Sequence, residues 1–326
     1  MTKYIISRCK NQTWIMALVI ILGAINAILG NYIYKFIGFV IDYGLNYTGT
    51  PYSGELAFLF TGKFGDYGSL KLIITLCVGM VLCALISYLS ILFSCYVQKR
   101  AQNHIANKYR IEIFKKSKGK VLPISSGDMM VILNEDIYEV SNTFISYYSA
   151  IISSVLSIGY TIFMLNSISP YLLIAPIALT PLLLYFTFKY HSATYKENQV
   201  YRTIDGELKE TIAQVTGSAN MESYTLFEEI NEKHTKQRKI HSTLGNRYST
   251  ILNVIKIMIY IISCTVAGVL AIQGQVLIGE YLIFTTFINT IYTQLISLIN
   301  NCISIRSAQP RIEKVKSLME DCLNEA

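Results

Sequence analysis

The sequence predicts an all-α membrane protein of six transmembrane helices with long cytoplasmic helical extensions, and three observations carry that prediction. The 326 residues are 52% hydrophobic and only 15% charged, and the mean hydropathy of +0.40 exceeds what a water-soluble domain of this length carries. Six runs have the length and the uncharged centre needed to cross about 30 Å of hydrocarbon. Lys and Arg are concentrated in alternate connections between those runs.

Span one, Trp14 to Ile41, follows a basic start with Lys3, Arg8 and Lys10. Such a start resembles a signal peptide, but the run is long for one and no clean small-residue cleavage site follows, so it reads as a retained helix. Gly23, Ala27 and Gly30 share one face, which predicts close helix packing, with Asn26 and Asn31 as candidate pathway groups. The loop from Asp42 to Ser69 is rich in Gly and Tyr and contains the glycosylation-type triplet Asn46-Tyr47-Thr48. Such triplets arise often by chance, and no function is assigned to the loop.

Spans two (Leu72 to Val97) and three (Val140 to Leu165) carry serine rows at Ser87, Ser90 and Ser94, and at Ser146, Ser149, Ser153 and Ser157. Small residues let membrane helices approach closely, so both rows read as packing surfaces. Span four, Tyr171 to Phe188, is short and carries Pro176 and Pro181. A kink is expected there, with the freed carbonyls finding partners inside the bundle. Spans five and six are Ile251 to Ile272 and Tyr281 to Ile303.

The connections are uneven. The segments Gln98 to Glu139 and Tyr190 to Thr250 are too long for turns, yet they are poor in Gly and Pro. Apolar residues recur every three or four positions, as at Ile105, Tyr109, Ile111 and Phe114, or at Leu208, Ile212 and Val215. That is a helical pattern, so the spans should continue as helices, and 20 further residues would project roughly 30 Å beyond the membrane. Each segment should break once, at Pro123 to Gly127 and near Gly217, and turn through a short helix that offers a docking tip.

These two segments and the two chain tails hold nearly all the Lys and Arg. Lys35, Lys63 and Lys71 lie in or beside the first loop, Lys256 lies near a span end, and the loops at 166–170 and 273–280 have none. The positive-inside rule then places both termini in the cytoplasm, with an even number of crossings between them.

Span six supplies the candidate transport surface. Thr286, Thr290, Thr293, Ser297, Asn300, Asn301 and Ser304 recur at intervals of three and four, flanked by Asn289 and Gln294. At 100° per residue they fall within an arc of about 100°. Lipid offers no hydrogen bonds, so a stripe of this length reads as facing a watery cavity, and interhelical hydrogen bonding is the alternative. Metal or disulfide chemistry is not expected, because the seven cysteines and four histidines show no ligand spacing and no paired carboxylates.

Three motifs resemble the transmembrane domain of an ABC exporter, and their order relative to six spans strengthens the likeness. Ser126-Gly127-Asp128-Met129 with Leu133-Asn134-Glu135-Asp136 is similar to the stretch after that family's first coupling helix. Thr216-Gly217 with Met221-Glu222-Ser223-Tyr224 resembles its second coupling region, although the usual Ile-Lys-(Ala/Ser)-(Phe/Tyr) is absent. Ser307-Ala308-Gln309-Pro310-Arg311-Ile312 is similar to the Ser-x-x-Arg-Ile junction, with Pro310 unusual there.

The resemblance implies a domain over 1–320, with 321–326 as a tail or a linker to a nucleotide-binding domain. It implies a membrane-spanning subunit of an ATP-driven exporter, working as a homo- or heterodimer in the plasma (inner) membrane. Coupling to a fused or separate ATP-binding domain would fall to Ile124, Ser125, Gly127, Asp128, Gly217, Met221, Tyr224 and Phe227. ATP and Mg2+ would bind on that partner domain. This sequence contains no Gly-x-x-x-x-Gly-Lys-(Ser/Thr) phosphate loop, so by itself it is expected to hydrolyse no ATP and to hold no cofactor. Two other classes remain open: a gradient-driven secondary transporter, and a non-transporting scaffold or sensor of exporter-like shape.

Overall fold

The computed structural model describes residues 13–45, 56–60, 62–117, 126–217 and 221–324. Among them the chain is helical, with no strand. Helix α1 (Thr13–Phe39) continues through a π-helical turn (Val40–Leu45). A short 3-10 turn at Ala57–Phe60 precedes α2 (Leu70–Ser117). Helices α3 (Ser126–Val131), α4 (Ile137–Asn142) and α5 (Tyr148–Ile168) form one path joined by π turns at Ile132–Asp136 and Thr143–Tyr147. After a 3-10 turn at Pro170–Leu173 come α6 (Ile174–Gly217), α7 (Met221–Ile272) and α8 (Ile278–Asn324).

Six stretches are long and apolar enough to cross a membrane: Thr13–Leu45, Leu70–Lys115, Met129–Ile168, Pro170–Tyr190, Tyr224–Ile272 and Ile278–Met319. The protein is an all-α, multi-pass membrane protein, and burial along α2 agrees with lipid as its solvent. Leu82, Leu85 and Leu89 are more than half exposed, whereas Ser87 and Ser90 are buried. Water would favour the reverse. The buried serines hold α1 against α2, Ser87 through Asn26 Oδ1 and Ser90 by donating to the Leu22 carbonyl at 3.1 Å. This is the packing role that their spacing predicts.

The chain divides into two compact units, 1–173 with 264–326, and 174–263. In the first, a core outside the most apolar stretches joins the far half of α2, the α3–α4 path and the end of α8. It is built from Ile105, Tyr109, Ile113, Ile132, Ile137, Phe144, Ile312, Val315 and Met319 among others. The spans therefore do continue as packed helices. The 48 residues of α2 are about 72 Å long, more than twice the hydrocarbon thickness.

The buried face is rotated from the expected one. Ile105 and Tyr109 are buried, but Ile111 and Phe114 are 47% and 60% exposed, because they sit about 240° and 180° further round the helix than Ile105. Ile113 takes their place at 0% exposure.

The second unit is an antiparallel hairpin of α6 and the first part of α7. Tyr190 meets Tyr248 with ring centroids 5.7 Å apart, Gln237 donates to Glu197 at 2.8 Å, and His234 lies 3.2 Å from Asp205. Rising positions on one helix pair with falling ones on the other, which fixes the direction. Ile212, expected on the packed face, is 44% exposed, while Ile204 and Thr211 are buried. Pro181 lies inside α6, and the neighbouring Thr180 hydroxyl donates to the Pro176 carbonyl at 2.8 Å.

Candidate functional site: an uncharged polar cavity between α1, α5 and α8

A cavity of about 240 Å³ opens between three helices of the first unit. From α1 it is lined by Gly23, Asn26, Ala27, Gly30, Asn31 and Tyr34, from α5 by Ser153 and Ser157, and from α8 by Thr290 and Gln294. The spacing explains the membership. Positions 23, 26, 27, 30, 31 and 34 recur every three or four residues on one face of α1, and 153 with 157 and 290 with 294 are single-turn pairs. No Asp, Glu, Lys or Arg contributes to the lining.

Two glycines of the α1 face act differently. A methyl group at Gly23 would collide with the Ser153 hydroxyl, so Gly23 sets the closest approach of α1 to α5. At Gly30 nothing lies within 4 Å of where a Cβ would be. Gly30 is cavity wall, where its spacing had predicted packing.

The three amide side chains are each anchored by one end. Asn31, only 2% exposed, donates from Nδ2 to Thr161 Oγ1 at 3.1 Å. The Thr161 hydroxyl itself donates to the Ser157 carbonyl at 2.8 Å, so towards Asn31 it can only accept, and the orientation of the Asn31 amide is fixed. Gln294 accepts at Oε1 from Ser154 Oγ at 3.0 Å, and Asn26 accepts at Oδ1 from Ser87. Each bond ties two helices together.

Of the seven span-six residues predicted for the pathway, the cavity takes Thr290 alone, and it takes both Asn26 and Asn31, the candidate pathway groups of span one. The hydroxyls of Thr286 and Thr290 donate to carbonyls of their own helix, Thr286 to Ile283 at 2.8 Å and Thr290 to Thr286 at 3.0 Å. Asn301 donates to the Ser297 carbonyl at 2.8 Å. Asn289, Thr293 and Asn300 are exposed. Gln294, read as flanking the stripe, is in the cavity, as are Ser153 and Ser157, read from sequence as packing residues. The signal that could have found those two is their single-turn spacing opposite the Asn26 and Asn31 face.

Two of the sequence motifs meet elsewhere. Arg311 of the junction motif pairs with Asp136 of the Leu-x-x-Asp motif at 3.6 Å, the aspartate side chain being 8% exposed. Nearby, Arg110 donates from Nε to the Leu133 carbonyl at 2.7 Å, inside the first π turn. At the opposite end of α1, Asp42 accepts from the Gly279 N–H at 2.7 Å, linking positions 237 apart. Asp42 had been read as the start of a loop.

For the predicted coupling residues, Ile124 and Ser125 lie outside the described residues. Gly127 and Asp128 fall in the first turn of α3, Gly217 ends α6 and Met221 starts α7. Met221, Tyr224 and Phe227 occupy the first two turns of the long α7, and no separate short helix appears at 221–227. Tyr224 is 56% exposed, with its ring 6.4 Å from that of Phe227. Among the described residues no cluster of His, Cys, Asp or Glu is arranged to hold a metal ion.

Comparison with curated proteins found no match. A family model of the ABC transporter transmembrane region matches residues 13–295, which takes in α1 to α7 and the cavity-lining turns of α8. The six spans, the extended helices and this match lead to one conclusion: the chain belongs to the ABC transporter transmembrane region family.

Proposed function

We propose that the protein is the membrane-spanning subunit or domain of an ATP-driven exporter, and that the cavity between α1, α5 and α8 is part of its substrate pathway. The observation that carries this reading is family membership combined with a half-open cavity lined by uncharged polar side chains, among helices whose outer faces are apolar. Two such subunits, identical or related, enclose the pathway. The exposed Asn289 and Asn300 of α8 belong to this proposed pathway, because side-chain amides facing lipid would cost several kcal/mol each, and the exposed Thr293 lies on the same stripe.

In this reading the chain lies in the plasma (inner) membrane with both termini on the cytoplasmic side, an orientation that the basic segments beyond the spans support. There the turns around Gly127 and Asp128, and around Gly217 to Phe227, meet nucleotide-binding domains that carry ATP and Mg2+. Closure of those domains moves the long helices as rigid bodies and switches access from one side to the other.

The test is purification from native membranes, followed by identification of what is fused to or associated with the chain and assay of vanadate-sensitive ATPase. A nucleotide-binding domain with such activity is the expected result. Recovery of the chain without one, and without ATPase, would overturn the reading in favour of a scaffold or a gradient-driven carrier.

A further inference from the structure

The cavity has a polarity pattern more specific than its size. Each of its amide side chains spends one end on a helix-to-helix bond, at Asn26 Oδ1, Asn31 Nδ2 and Gln294 Oε1. Left over are the N–H groups of Asn26 and Gln294 and the second N–H of Asn31, all donors, and the carbonyl oxygen of Asn31, an acceptor. None of the three has a further side-chain partner among the described residues. Asn31 cannot reverse its role, because the Thr161 hydroxyl is already donating to Ser157. The lining therefore offers a fixed C=O from Asn31 and, in the orientations that Ser87 and Ser154 hold, N–H groups from Asn26 and Gln294, with no charge beside them.

A secondary amide is the complementary group: its carbonyl accepts from Asn26 or Gln294 and its N–H donates to Asn31. At about 240 Å³ the space exceeds the ~150 Å³ cavity that admits a benzene ring, so a peptide unit with a small side chain fits. An ion would lose its hydration and gain no counter-charge. Polar groups built to bond an N–H discriminate strongly against an analogue that lacks it.

We infer that the α1–α5–α8 cavity is a subsite for an uncharged secondary amide, which makes the transported class peptide-like compounds with blocked or neutral polar groups. This rests on the export reading above.

The experiment uses the full chain in lipid nanodiscs, with empty nanodiscs subtracted. The probe is radiolabelled N-acetyl-alanyl-alanine N-methylamide, compared with its ester isostere, in which the central N–H is replaced by oxygen, and with the free-amine form. The expected result is saturable binding of the amide, with ester and free amine each at least tenfold weaker, and loss of the amide-over-ester preference in Asn31→Leu. Gln294→Met removes a donor that serves the carbonyl of both ligands, so it should weaken amide and ester together and leave the preference in place; the two-ligand comparison on the unaltered chain depends on neither variant. Equal binding of amide and ester, absence of saturable binding, or a preference unchanged in folded Asn31→Leu overturns the inference. The assay needs no nucleotide. Failed amide selectivity beside intact partner-dependent ATPase therefore sinks the substrate class alone, and amide binding without any ATPase partner sinks the export reading, and with it transport, while leaving the amide subsite standing.

Discussion

Gly23 and Gly30 sit two turns apart on the same face of α1 and have opposite surroundings, the Ser153 hydroxyl against one and open space against the other. Gly23→Ala should push α1 from α5 and destabilise by about 1–3 kcal/mol, the usual cost of overpacking. Gly30→Ala meets no clash and removes a flexible residue from a helix interior, so it should be neutral or stabilise by roughly 0.5–1 kcal/mol. Thermal unfolding of the two variants in one detergent checks the pair, and equal shifts would contradict the close-approach role. Asp136 and Arg311 make a second residue-scale case. Their separation of 3.6 Å and the burial of Asp136 predict a coupling of about 1 kcal/mol or more in a double-mutant cycle. Additive effects of Asp136→Ala and Arg311→Ala would show that the two motifs meet without energetic consequence.

At the scale of elements, the far half of α2 is held by one face only. Ile113 is 0% exposed in a core shared with Ile132 and Val315, and Ile111 on the same helix is 47% exposed. Truncating Ile113 to Ala should cost about 2–5 kcal/mol, against about 0.5 kcal/mol or less for Ile111→Ala. The comparison is read from thermal or denaturant unfolding, and a larger loss at Ile111 would mean that its face is covered in the assembled protein. The π turns at Ile132–Asp136 and Thr143–Tyr147 bear on the same core. A π turn admits an extra residue and turns the face that follows. The first supplies the Leu133 carbonyl that accepts from Arg110.

For the whole molecule, the prediction concerns transmission between the proposed ATP-binding partners and the spans. Tyr224, 56% exposed, and Phe227 open α7 where the α6–α7 hairpin turns. If this end docks a nucleotide-binding domain, Tyr224→Asp or Phe227→Asp should uncouple ATP hydrolysis from transport while assembly survives. ATPase and transport measured on the same vesicles decide it, and normal coupling in both variants would remove this end from the docking site.

The sequence by itself determined the class of solvent, the six spans, the helical extensions and the family resemblance. Each of these rests on local quantities: run length, periodicity and the order of short motifs. Tertiary structure decided which polar residues face one another. A stripe on α8 looks uniform in sequence, yet the Thr286 and Thr290 hydroxyls bond back to their own helix, and the amide that crosses to α5 is the flanking Gln294. Asp42 joins Gly279 across 237 positions, and Arg311 finds Asp136. Periodicity fixes which residues share a face, but the rotation and translation that bring one face to another come from packing among helices distant in sequence, and no local pattern encodes them.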